Sequence, residues 1–64
     1  MDANWDLLKM LIEHNRKTGE KSDKEVIETF INGYQALNQF KNEKGEIDVQ
    51  YALDKINELM NQSN

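Results

Sequence analysis

The sequence predicts an all-α fold, a small three-helix up-down-up bundle with helices over about residues 4–17, 23–44 and 49–61. Three observations carry that expectation. Apolar residues recur at steps of three and four in three separate stretches, the spacing that brings side chains onto one face of a helix. Helix-starting residues precede the second and third stretches, and Gly19 and Gly45 fall where helices should stop. The chain has 64 residues, no proline and no cysteine, so residues 1–64 read as one domain, close to the lower size limit for a core without disulfides. Residues 61–64, NQSN, read as a frayed tail.

In the first stretch Asp2 or Asn4 can cap a helix that runs to about Lys17 and ends at Gly19. Trp5, Leu8, Leu11 and Ile12 fall in one stripe and are expected to face the centre. Leu7, Met10 and His14 lie outside it. At about 100° per residue they cluster together, with Met10 nearly opposite the core direction. A second apolar stripe is unusual on a helix of a small monomer, which makes these three residues candidates for contact with a partner or a second copy. The connection Thr18–Lys21 is short, and such loops set neighbouring helices antiparallel.

The second stretch is the longest with one helical period: Val26, Ile27, Phe30, Ile31, Tyr34 and Leu37 share a face. Ser22 and Glu25 form a capping box, each side chain able to satisfy the other's backbone N–H. Gly33 costs about 1 kcal/mol relative to alanine within a helix. The period resumes beyond it, so one unbroken helix is expected, with amide-rich Glu28, Asn32, Gln35 and Gln39 on its polar side. Gly45 would close it in the left-handed conformation, after Lys41 and Lys44 whose charges suit a helix C-terminus.

In the third stretch Asp48 suits the N-cap, and Ile47 can pack back on Ala52. Ala52, Leu53, Ile56, Leu59 and Met60 make a wide apolar stripe, with Val49 beside it. Tyr51 lies off that stripe, on the side of Lys55 and Glu58. It is the best candidate for an exposed aromatic ring of the kind enriched at binding surfaces.

The segment Asn42–Asp48, NEKGEID, is similar to the later half of an EF-hand calcium loop. Aligned on Gly45, the first, third, fifth and twelfth ligand positions of such a loop fall on Phe40, Asn42, Lys44 and Tyr51. Phenylalanine, lysine and tyrosine cannot serve as three of those four oxygen ligands, so no calcium is expected there. Helix-ending and helix-starting chemistry explains the same residues.

Net charge is −4, from 12 acidic and 8 basic residues. It is distributed unevenly: residues 1–21 carry four of each sign, residues 22–44 four acids and three bases, and residues 45–64 four acids and one base. That balance argues against direct nucleic-acid binding, which depends on clustered Lys and Arg. The third helix read as a recognition helix fails likewise, since Asp54 and Glu58 would face phosphates with only Lys55 to offset them. No apolar run reaches the roughly 18 residues of a membrane span, and no export signal is evident, so a cytoplasmic location is expected.

His14 is the single histidine, and Glu13, its sequence neighbour, points elsewhere on a helix. With no cysteine, glycine-rich phosphate loop or paired ligand motif, neither catalysis, a cofactor, a metal nor a small-molecule substrate is expected. The functional expectation is a small acidic protein–protein interaction module that binds through the outer face of helix 1, using Leu7, Met10 and His14, with Tyr51 as a further contact. Two alternatives stand beside it. One is a structural homo-oligomer formed through the same stripe. The other is an acidic mimic of nucleic acid that occupies a partner's binding site with Glu46, Asp48, Asp54 and Glu58.

Overall fold

The computed structural model describes residues 3–34 and 38–62. Helix α1 spans Ala3–Thr18, α2 spans Asp23–Tyr34 and α3 spans Val49–Gln62, with a short 3₁₀ turn at Asn38–Phe40 before α3. Each helix packs against both others, giving the three-helix bundle that the periodicity predicts.

Gly19 has φ +68° and donates its N–H to the Asn15 carbonyl at 2.7 Å, closing α1 with a left-handed residue. The turn that follows is gripped from below by Asn15, 8% exposed. Its Nδ2 donates to the Lys21 carbonyl at 2.7 Å, and its Oδ1 accepts from the Lys21 N–H at 3.2 Å. The Asn15 amide thus acts as a neighbouring peptide group would, holding Lys21 where α2 must begin. The capping box then starts α2 as expected: Ser22 Oγ accepts from the Glu25 N–H at 3.2 Å, and the Ser22 N–H reaches Glu25 Oε1 at 3.4 Å. At the start of α3, Asp48 Oδ1 accepts from the Gln50 N–H at 3.0 Å, the N-cap bond foreseen for it.

The unbroken helix expected over residues 23–44 does not form. Residues Asn38–Phe40 form a 3₁₀ turn instead, and Lys41 pairs with Ile47 in an isolated antiparallel bridge. Leu37 and Gln35 lie outside the described residues. Burial of Phe40 supplies the physical reason. On a continued α2, Phe40 would be about 90° or more from the Ile27–Phe30–Ile31 face and would point to water. In the observed course it is fully buried, its ring edge-on to Trp5 at 4.5 Å and to Phe30 at 5.6 Å. Burying a phenyl group is worth about 2–3 kcal/mol, more than a stretch rich in Asn and Gln gains from two further helical turns.

Gly45 does adopt the left-handed conformation, φ +78°, but inside a turn and not at a helix end. Asn42 organises that turn: its Oδ1 accepts from the N–H groups of Lys44 and Glu46 at 2.9 and 3.1 Å, and its own N–H donates to the Glu46 carbonyl at 2.9 Å. Of the expected tail, Asn61 and Gln62 are the last residues of α3, and Ser63 and Asn64 lie outside the described residues.

The core joins Trp5, Leu8 and Ile12 of α1 to Ile27, Phe30 and Ile31 of α2, Phe40, and Ala52, Ile56 and Leu59 of α3. Val26, Ile47, Val49, Leu53 and Met60 pack around it, half-buried. Two residues assigned to the centre are not there: Leu11 is 40% and Tyr34 47% exposed. The buried side of α1 is centred on Leu8, Ile12 and Asn15, and Leu11 lies about 65° round the helix from that centre, at its edge. Tyr34 ends α2, where its ring stacks on Phe30 at 4.5 Å with its outer side in water.

At the other edge of α1, Arg16 ties the three helices together. Its Nη2 donates to Asp23 Oδ2 at 2.9 Å and to Asn57 Oδ1 at 3.1 Å, its Nε donates to the same Asp23 oxygen at 3.2 Å, and Nη1 lies 3.3 Å from Met60 Sδ.

Candidate functional site

The outward side of α1 carries the most exposed apolar residue of the described chain. Met10 is 65% exposed, with Leu7 at 37% on the preceding turn. His14 is exposed one turn further on. These three occupy the side of α1 that the helical period assigned to them, turned away from Leu8 and Ile12. Leu11 widens the patch toward α2. There, Leu11, Lys21, Val26, Thr29, Phe30 and Tyr34 line an apolar hollow of about 300 Å³ between the two helices. The sequence reading missed this hollow because it placed Leu11 and Tyr34 in the core.

Gly33 stands on the exposed surface of α2, one turn beyond Thr29. A Cβ built there would meet nothing within 4 Å, so the fold itself has no steric need for glycine. Gly33→Ala is accordingly expected to raise stability by about 0.5–1 kcal/mol, read as a higher melting temperature by circular dichroism. An unchanged or lower melting temperature would show that the packing around α2 requires the bare backbone.

Tyr51 lies on α3, 36% exposed, and with Asn42, Glu43, Lys44, Asp48, Gln50 and Asp54 lines a second hollow of about 330 Å³, which includes no residue of α1. Two of the three carboxylates there already serve the fold: Asp48 caps α3, and Asp54 Oδ1 accepts from Gln50 Nε2 at 2.9 Å. Asn42 Oδ1 is likewise taken up by two backbone N–H groups. Among the described residues no group of three His, Asp or Glu side chains is placed to hold a metal ion, and no helix is long and apolar enough to cross a membrane.

Fold and surface together define a small three-helix bundle whose first helix carries exposed apolar residues on its outward side. Compared with protein-family models, curated proteins and solved structures, the chain matches none.

Proposed function

We propose that this protein is a small non-enzymatic interaction module that binds a protein partner through the outer face of α1. The observation that carries the reading is the exposure of Met10 in mid-helix, flanked by Leu7 and by Leu11, which opens onto the apolar hollow beside α2. Single exposed apolar residues are ordinary on a protein surface; three within two helical turns, continuous with a hollow, are of the kind found at contact sites. His14 adds a polar contact at the edge. A cytoplasmic location, suited to a cysteine-free and charge-rich chain, belongs to the same proposal.

Tyr51 is left as a separate and smaller contact, because its ring belongs to the α3 hollow. Mimicry of nucleic acid has less support, since Asp48 and Asp54, two of the four acids it would need, are engaged in holding their own helix.

Met10→Glu tests the proposal. At a position this exposed, stability should stay within about 0.5 kcal/mol of the original chain. Capture of the partner by the immobilised protein should fall at least about tenfold, because a carboxylate would be buried without a partner at the contact. Capture that is indifferent to the substitution would move the contact off α1.

A further inference from the structure

We infer that the partner of α1 is a second copy of this chain, docked antiparallel across a two-fold axis; the inference rests on reading the outward side of α1 as the contact surface. Two observations favour this occupant. Leu7, Met10, His14 and Lys17 follow one another at steps of three, four and three, the spacing of a coiled-coil seam, and all four are exposed. Opposite charges lie at the two ends of that seam, Asp6 beside Leu7 at one end and Lys17 at the other. A parallel copy would set like charges against each other. An antiparallel copy sets Met10 against the partner's His14 and Leu7 against the stem of the partner's Lys17, in the alternating layers of antiparallel pairs. Asp6 then lies within about one residue's rise of the partner's Lys17, twice by symmetry.

The arrangement has one unfavourable element. Glu13 falls next to its own copy near the axis, so Glu13→Gln should tighten the pair. A 16-residue helix is about 24 Å long, and one such face buries on the order of 500 Å² a side, at the small end for protein contacts. The dimer is therefore weak and belongs to the concentration range up to about 1 mM.

The experiment is sedimentation equilibrium on the full chain and on Asp6→Lys and Lys17→Asp, alone and mixed, with circular dichroism to show that each is folded. The original chain should dimerise. Each variant alone should do so about tenfold more weakly, since two pairs become two repulsions. An equimolar mixture of the two should recover dimerisation, because both ends of the unlike pair then set a lysine of one variant against an aspartate of the other. A chain that stays monomeric to about 1 mM, or variants whose mixture pairs no better than either alone, would overturn the inference. The α1 surface has its own separate test: loss of a different captured protein on Met10→Glu would uphold that surface while self-pairing failed.

Discussion

Phe40→Ala is expected to leave most of the chain unfolded at 25 °C. The ring is fully buried and meets Trp5 and Phe30 edge-on. Truncating such a phenylalanine removes its transfer free energy and leaves a cavity, together about 3–5 kcal/mol. A single core in a domain this short supplies about 3–5 kcal/mol in total, so the substitution consumes most or all of it. The cost should exceed that of shortening an isoleucine elsewhere in the core, because Phe40 also anchors the 3₁₀ turn Asn38–Phe40 to the bundle. Far-UV circular dichroism should show helix loss, and the fluorescence of Trp5, the only tryptophan, should shift to the red as its site opens to water. Phe40→Leu keeps most of the volume and should cost about 1–1.5 kcal/mol. Full helix content and a cooperative urea transition at the original midpoint in Phe40→Ala would show that the ring is not part of the working core.

Asn15→Ala should cost about 2 kcal/mol and lower the melting temperature by roughly 10 °C. The amide makes two hydrogen bonds to the backbone of one residue, donating to the Lys21 carbonyl and accepting from the Lys21 N–H. Alanine leaves both backbone groups short of partners beside a buried site. Asn15→Asp is the sharper variant. Its carboxylate can still accept from the Lys21 N–H but has nothing to donate to the carbonyl, which it would repel, so its loss should equal or exceed that of alanine. Urea titration of both variants decides the matter, with an unchanged midpoint in Asn15→Asp counting against the role given to this side chain.

Both effects concern residues whose importance the chain's local patterns do not show. Asn15 sits between Ile12 and Arg16 and reads in the sequence as an ordinary polar residue near a helix end. What gives it a role is the position of Lys21 across the turn. Phe40 falls outside the apolar period of α2, so a reading based on that period leaves it out of the core. Leu11 fails in the opposite sense: its spacing from Leu8 suits the stripe, yet α2 leaves that side of α1 open. The outward placement of Leu7, Met10 and His14 was legible because it depends only on the angle between residues of one helix. The hollow that Tyr51 lines was not, since it depends on how α3 meets the turn at Asn42, Glu43 and Lys44.

The number of helices, the capping box at Ser22 and Glu25, the Asp48 cap, the closing turn at Gly19 and the outward side of α1 were thus determined by the sequence itself. Each is settled within about four residues, by the helical period or by one side chain reaching a nearby backbone group. Only the tertiary structure decided that no single helix runs on to residue 44, why Gly45 serves a turn instead of a helix end, and which residues fill the centre. Those outcomes weigh local helical hydrogen bonds against burial of the Phe40 ring on Trp5 and Phe30, and that burial exists only once α1 and α2 are packed together.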